Sequence, residues 1–269
     1  MKLTVTVITY NESEHIAAAL DSVAWADEII VVDSGSTDGT VDLARPKATR
    51  VITREWPGYS AQKNFAADQA SHDWVLSMDA DERVTPALAA EIQSLLQTEP
   101  QARGYRIRRV SRYLGRWIRT TDWFPDYQLR LYDRRTGRWN GMRIHESFRL
   151  QVGEPLRLQG ELEHYAYRDI SHHLKKIDAY TTLMSQQWHE EGRRTSLPAL
   201  LLHPAFAFVR NYVLRAGFRD GTPGLIISIL NAYYVFLKCA KLWERQQRAA
   251  SGTRDAGSGM SDSGSVIRD

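Results

Sequence analysis

Two carboxylates one residue apart, Asp79 and Asp81, end a short apolar run in the stretch Trp74–Glu82, which reads Trp-Val-Leu-Ser-Met-Asp-Ala-Asp-Glu. At this spacing both side chains can turn toward one divalent cation. A hard ion such as Mg2+ takes oxygen ligands and keeps positions open for substrate phosphates. The pattern is common, and a solvated loop or a helix N-cap explains it as well. Its place in the chain argues for more. Helical patterns flank the apolar run, so it reads as a buried strand of an α/β sheet, and ligands of such sheets collect beyond the carboxyl ends of strands. The expectation is a metal–diphosphate site at Asp79 and Asp81.

Other elements must deliver partners to that site. Leu3, Val5 and Val7 alternate with polar residues and the run continues through Ile8 to Thr9, a first strand followed by the loop Tyr10-Asn11-Glu12. Ser13 is placed to cap a helix reaching about Ala24. Glu28–Asp33 is a second apolar strand, and Asp33-Ser34-Gly35-Ser36-Thr37-Asp38-Gly39-Thr40 is a turn leading into a short helix that stops before Pro46. Val51 and Ile52 mark a brief strand, and Ser60 is placed to cap a helix running to about Ala70. Thr85-Pro86 opens another helix, cap then proline, with Leu88, Ile92, Leu95 and Leu96 on one side. This alternation predicts a mostly parallel sheet covered on both faces. Gly104–Val110, Gln128–Tyr132 and Leu156–Leu162 predict a smaller mixed-sheet region beside it, and from about Ile170 the pattern is helical.

The composition, 43% hydrophobic and 25% charged over 269 residues, is that of a globular protein with a sizeable core. A lone cysteine, Cys239, excludes an internal disulfide and fits a reducing cytosol. The first ten residues read as a strand, without the h-region of a secretory signal. The net charge of +3 hides an asymmetry: between Arg103 and Arg149 stand thirteen arginines, no lysine and four acids. Guanidinium forks suit phosphate oxygens, so a nucleoside diphosphate, a phosphorylated acceptor or anionic lipid is a candidate partner, and a solvated basic face is the plain alternative. Nucleic acid is not expected, because the basic segment carries no nucleic-acid motif and acids line the proposed cleft. Gly-x-Gly-x-x-Gly and Gly-x-x-x-x-Gly-Lys do not follow any strand, which argues against a dinucleotide fold or a P-loop.

The carboxyl-terminal part holds two apolar stretches, Leu197–Val209 and Leu225–Leu237. A bilayer span needs roughly twenty residues, so neither is read as transmembrane. Arg210, Arg215 and Arg219 follow the first and Lys238, Lys241 and Arg245 the second, with aromatics interspersed. Such helices suit a membrane interface, and equally a packed domain or dimer contact. The domain reading is residues 1–100 for the mostly parallel half, 101–169 for the mixed-sheet half, 170–248 helical and 249–269 a disordered tail.

Taken together, Val7-Ile8-Thr9-Tyr10-Asn11-Glu12, the Asp33–Thr40 turn and Met78-Asp79-Ala80-Asp81-Glu82 resemble the family 2 glycosyltransferases, inverting enzymes of GT-A fold that use nucleotide-sugar donors. Further matches are Gln62-Lys63-Asn64, Arg130-Leu131-Tyr132-Asp133, His145-Glu146, His164-Tyr165 and Gly217-Phe218-Arg219-Asp220-Gly221. That longer set resembles the branch of lipopolysaccharide-core β-1,4-glucosyltransferases acting on inner-core heptose. The resemblance implies an α/β GT-A fold with a mostly parallel central sheet, a smaller mixed-sheet acceptor region and a helical carboxyl-terminal extension.

It also implies roles. Thr9, Tyr10 and Glu12 line the base and ribose pocket, and Asp33 accepts from the uracil imide. Lys63 reaches the donor ribose or phosphate, with a surface lysine as the alternative, and Arg130 counters phosphate charge. Asp79, Asp81 and His164 form the site of a divalent metal, Mg2+ or Mn2+, with Asp81 the firmer direct ligand. Glu146 is the expected base, although the family's usual Glu-Asp is His145-Glu146 here, and Asp126 is the second choice. The implied partners are a UDP-sugar donor, a lipid-linked core oligosaccharide acceptor and an anionic membrane surface. The implied location is the cytoplasmic side of the bacterial inner membrane, peripherally bound. A polyprenyl-phosphate sugar synthase, or a non-catalytic nucleotide-sugar-binding protein of the same fold, are the alternatives.

Overall fold

The computed structural model describes residues 1–140 and 147–258, with side chains through residue 249. The chain divides into two compact units, one of Met1–Arg119 with Trp123–Ala166, the other of Thr120–Asp122 with Tyr167–Asp269.

The first unit contains β1 (Leu3–Thr9), α1 (Ile16–Asp21), β2 (Glu28–Asp33), α2 (Thr40–Ala44), β3 (Arg50–Thr53), α3 (Tyr59–Asp68), β4 (Trp74–Asp79), β5 (Glu82–Val84) and α4 (Pro86–Gln97). It continues with β6 (Gly104–Tyr113), β7 (Arg116–Ile118), β8 (Asp126–Asp133), β9 (Gly137–Trp139), β10 (Phe148–Leu150) and β11 (Leu156–His164). A nine-stranded sheet runs in the order β3-β2-β1-β4-β8-β6-β11-β5, with β7 paired to β6. The pairs β3–β2, β2–β1 and β1–β4 are parallel. At β8 the direction reverses, since β8 is antiparallel to both β4 and β6. Residues on either side of position 100 therefore share one sheet, and the later strands extend it. The separate sheet is the small ribbon of β9 and β10.

β1 and β2 are buried along their whole length, as their β-branched runs require of strands covered on both faces. The register sets Thr9 beside Asp33 and Ile8 beside Asp79, so three adjacent strands release their loops at one edge. α4 starts as expected: Thr85 accepts from the Leu88 N–H, Pro86 stands in the first turn, and Leu88, Ile92 and Leu96 face the core. It lies so close to β11 that a Cβ on Gly160 would meet Leu88 Cα at 2.6 Å.

Two expected caps are absent. α1 follows His15 without a side-chain cap, and the Ser13 hydroxyl, together with its N–H at 3.0 Å, is turned to the Asp38 carboxylate. α3 begins after Gly58, whose φ of 104° only glycine tolerates well, and Ser60 Oγ donates to Asn140 O instead of capping. In both places a long-range partner outbids the local one. The short strands β5 and β7 lie where the sequence suggests a loop, because each is only the partner of a longer strand.

The second unit consists of α5 (Ile170–Glu190), α6 (Leu197–Val209), α7 (Gly221–Ser258) and Thr120–Asp122, with short turns after α6. Lys241 on α7 donates to Asp178 Oδ1 at 2.7 Å and to the Thr181 and Thr182 hydroxyls on α5, fixing that pair of helices. The Gly217–Gly221 motif is structural here: Asp220 Oδ2 accepts from Thr120 Oγ1 at 2.6 Å, and a Cβ on Gly224 would strike Gly217 O. α7 continues to Ser258, past Ala249 where the polar sequence suggests disorder. Leu201, Leu202, Phe206, Val213, Leu214 and Phe218 are all more than half exposed. The segments Leu197–Leu214 and Gly217–Ala249 are long and apolar enough to cross a membrane by length and composition, which the two thirteen-residue runs taken alone are not.

Candidate active site

The loops after β1 and β2 are tied to each other. Ser34 N donates to Thr9 O, Asn11 N to Ser36 Oγ, Thr37 N to Asn11 Oδ1 and Glu12 N to Thr40 Oγ1, all within 2.8–3.0 Å. Asn11 takes a positive φ of 53°, which asparagine tolerates. Burial would raise the Asp38 carboxyl's pKa, but the Thr40 hydroxyl and the Ser13 and Thr40 N–H groups hold it far below the carboxylate range. Tyr10 stands 58% exposed above this frame, free to cover a ligand.

A buried acceptor set stands at the ends of β1 and β2 and on α3. Asp33 is 1% exposed; its Oδ2 accepts from the Gly35 and Ser36 N–H groups, while its Oδ1 is buried without a hydrogen bond among the described residues. Thr9 Oγ1 beside it and Gln62 Oε1 on α3 are in the same condition. Gln62 Nε2 reaches Ser34 Oγ at 3.2 Å, so the three groups gather at one strand edge. Buried acceptors without partners are expensive unless a ligand supplies the donors.

A row of alternating charge crosses the sheet beside them. Lys63 Nζ lies 3.1 Å from Asp79 Oδ1, and Arg130 Nη2 bridges Asp79 Oδ2 at 2.6 Å and Glu82 Oε1 at 2.7 Å. Arg109 then joins Glu82 Oε1 at 3.2 Å to Asp126 Oδ2 at 2.7 Å. Lys63, Glu82 and Arg130 are almost fully buried, so the surface-lysine alternative for Lys63 does not hold. Burial alone would raise the Asp79 pKa; Arg130 and then Lys63 overcome it and hold the carboxyl far below its ordinary range. Arg109 is likewise opposed by burial, yet Glu82 and Asp126 raise it above the ordinary arginine value.

Asp81 stands apart from that row. Its Oδ2 is 3.4 Å from His164 Nε2, and its carbonyl accepts from the Tyr165 N–H at 2.9 Å. His164 Nδ1 lies 3.1 Å from Ser111 Oγ, which orients the ring. Trp139 is held on α3 by paired bonds to Asn64, and its ring lies 4.7 Å from Lys63 Nζ. Asn140 and Ser147 then bond to each other. Glu146 lies outside the described residues.

The profile of the Glycosyl transferase family 2 matches residues 4–151. The chain is a family 2 glycosyltransferase. It is 30% identical over 251 residues to the lipopolysaccharide core biosynthesis glycosyltransferase LpsC of Rhizobium meliloti, covering 91% of this chain and 93% of that protein. It is 32% identical over 252 residues to an uncharacterized glycosyltransferase of Rickettsia prowazekii, covering 90% and 86%. Among solved structures it is similar to the mannosyltransferase PcManGT of Pyrobaculum calidifontis in complex with GDP-Man and Mn2+, at 17% identity and a TM-score of 0.48 over 90% of this chain and 86% of that one. The expected GT-A fold is the fold described above, with its parallel strands and their loops at the amino-terminal side, its mixed extension and its helical end.

In this glycosyltransferase the residues named from sequence fall into three groups. Thr9, Tyr10, Glu12 and Asp33 share one pocket frame, whereas Lys63, Asp79 and Arg130 belong to the ion-pair row together with Asp126. Asp81 and His164 form the third group. Among the described residues no set of three His, Cys, Asp or Glu side chains could hold a metal ion. Asp81 and His164 still fit one: a carboxylate oxygen facing an oriented imidazole nitrogen is a recognised half-site, and donor phosphate oxygens can complete it. Asp79 has its charge answered by Lys63 and Arg130. Sequence reading gave no role to Glu82, Arg109 or Ser111. Glu82 directly follows the Asp pair, but its burial is signalled only by β5, a strand too short to show a pattern.

Proposed function

We propose that this glycosyltransferase moves glucose from UDP-glucose to an inner-core heptose of lipopolysaccharide, with inversion and with a divalent metal. The observation that carries the donor reading is the Asp33 carboxylate, buried with one oxygen satisfied by backbone and the other without a partner among the described residues. A uracil imide N–H answers that oxygen; cytosine has no proton at N3. The likeness to a lipopolysaccharide core biosynthesis glycosyltransferase over nearly the whole chain supports the acceptor class.

Inverting transfer is an in-line displacement: the acceptor oxygen bonds to the anomeric carbon as the bond to the diphosphate breaks, and the acceptor proton goes to a base. Glu146 is the base in this reading. Asp126 is the weaker choice, because Arg109 takes its Oδ2 through two nitrogens and Gln128 its Oδ1. Lys63 and Arg130 fix the Asp79 carboxylate, and Asp81 with His164 holds the metal, which when bound offsets charge on the leaving diphosphate. A panel of UDP-, CDP- and GDP-sugars with truncated core acceptors, with product linkage determined, tests the whole reading. If Glu146→Gln transfers normally while Asp81→Ala does not, a polyprenyl-phosphate sugar synthase, whose phosphate acceptor needs no strong base, replaces it.

Asp33→Asn is expected to raise the KM for the UDP-sugar about tenfold or more, since a hydrogen bond to a charged group contributes about 1.5–3 kcal/mol. It should also narrow the preference over the CDP-sugar, because the amide can donate to cytosine N3. Unchanged donor selectivity in initial-rate assays would remove Asp33 from base recognition.

The exposed apolar side chains of α6 and the turns after it support peripheral attachment to an anionic membrane on the cytoplasmic face of the inner membrane. Leu202→Glu combined with Phe206→Glu is expected to cut recovery with floated anionic liposomes about tenfold or more, each side chain having about 1.5–3 kcal/mol to lose. Recovery equal to that of the unaltered protein would sink the attachment.

A further inference from the structure

Arginine is abundant in the first unit, and several of its guanidiniums there are spent on carboxylates. Arg108 and Arg119 share Glu161, and Arg109 and Arg130 belong to the charge row. Arg83 on β5 and Arg112 on β6 differ. Arg83 is half-buried and Arg112 exposed; neither side chain has an ion pair or hydrogen bond among the described residues, and Arg83 Nε is buried without a partner among them. Instead both lie on Tyr165. The guanidinium carbon of Arg83 is 3.9 Å from the ring centroid and that of Arg112 5.9 Å, with Arg112 also 5.9 Å from the Trp117 ring. Trp117 meets Tyr165 edge-on at 5.5 Å. Glu163, the acid in the same strand row, accepts from the Tyr165 hydroxyl at 3.3 Å and pairs with neither arginine.

Stacking on an aromatic face orients a guanidinium plane and leaves its N–H edge for an anion. Two such groups, one half-buried and one exposed, neither paired with a carboxylate among the described residues, flank the end of β11 from the strands on either side. Tyr165 follows His164 directly, and Arg83 lies two residues beyond Asp81. The geometry points to an anion subsite in which Arg83 and Arg112, braced on Tyr165, hold the phosphate of a phosphorylated saccharide while Trp117 meets the sugar ring. Phosphate suits the fork-shaped donors bidentately, and a flat indole suits the apolar face of a pyranose. Assigning this saccharide to the acceptor rests on the function proposed above; the subsite itself does not.

The test uses the full chain saturated with UDP, titrated with mannose 6-phosphate and with mannose under saturation-transfer NMR. Mannose 6-phosphate should bind at least about tenfold more tightly than mannose, and Arg83→Gln or Arg112→Gln should each weaken it about tenfold while UDP affinity stays within about twofold. Arg112→Lys, which keeps the charge but loses the planar fork and its stacking, should weaken binding less than Arg112→Gln but measurably, and serves if a glutamine variant fails to fold. Equal binding of the two sugars, or of the sugar phosphate by all variants, overturns the subsite. A parallel loss of UDP affinity assigns the arginines to the donor diphosphate and overturns it as well. Inorganic phosphate binding as tightly as mannose 6-phosphate overturns the saccharide assignment. Because the readout is binding, failure to transfer sugar to core acceptors counts against the proposed function alone.

Discussion

Asp81→Ala is expected to lower transfer by at least about two orders of magnitude, with the folded state little changed. Asp81 is one of two side chains that face each other at 3.4 Å with donor and acceptor chemistry suited to a cation, and the other is His164. Removing one group that stabilises developing charge on a leaving oxygen typically costs a factor of about 100 to 1,000. The fold is spared because Asp81 binds Tyr165 through its main-chain carbonyl, which alanine keeps. Rates measured across a Mn2+ titration, together with thermal denaturation, check both halves. Partial recovery at high Mn2+ would place the defect in metal affinity, while a wild-type rate at all metal concentrations would remove Asp81 from the site. Asp79→Ala should behave differently: it leaves Lys63 and Arg130 buried without their shared anion, so its loss of activity comes with a loss of stability.

The second large effect concerns folding. Glu82 is fully buried, and its carboxylate accepts from Arg130 at 2.7 Å, from Arg109 at 3.2 Å and from the Asp79 N–H at 3.0 Å. Glu82→Ala strands the buried Arg130 and the partly buried Arg109 on one side, and breaking a buried ion pair in this way costs about 3–5 kcal/mol. That is a large share of the roughly 5–15 kcal/mol that holds a typical domain. Denaturant titration should therefore show a strongly lowered midpoint, and Glu82→Gln, which keeps an acceptor oxygen, a smaller shift. A midpoint for Glu82→Ala within about 1 kcal/mol of the unaltered protein would mean that Asp79 and Asp126 suffice to hold both arginines.

What the sequence made legible follows the range of the forces involved. β1, β2 and β4 are readable because a fully buried strand must be apolar residue by residue. Thr85-Pro86 is readable because a cap is local. Ser13 and Ser60 mislead for the opposite reason: the same local rule is overruled by Asp38 and by Asn140, which lie far away in the chain. The site divides likewise. Asp33, Asp79 and Asp81 stand at strand ends where motif and position coincide. Glu82 and Arg109 gain their roles only when β5, β6 and β8 are assembled, and no pattern within either segment shows that they will share a buried row. The Arg-rich stretch reads as one basic surface, although Glu82, Asp126 and Glu161 neutralise several of its members within the folded unit.

The reversal of strand direction at β8 has a bearing on how such a protein can diversify. Thr9, Asp33 and Asp79 leave adjacent parallel strands whose register is locked by burial on both faces. A one-residue slip there would turn every side chain to the opposite face, so an insertion or deletion is ruinous. Beyond β4 the pairing is mixed: β8 runs antiparallel to β4 and β6, β11 runs parallel to β6, and β6 joins its antiparallel partner β7 through the Leu114-Gly115 turn. Turns of that kind can lengthen or shorten without disturbing the pairing behind them. Descendants of one ancestral chain can thus keep the nucleotide half nearly fixed while trying out new loops on the other side of the seam. Heritable change in such a lineage should fall more on the partner that receives the sugar than on the one that gives it.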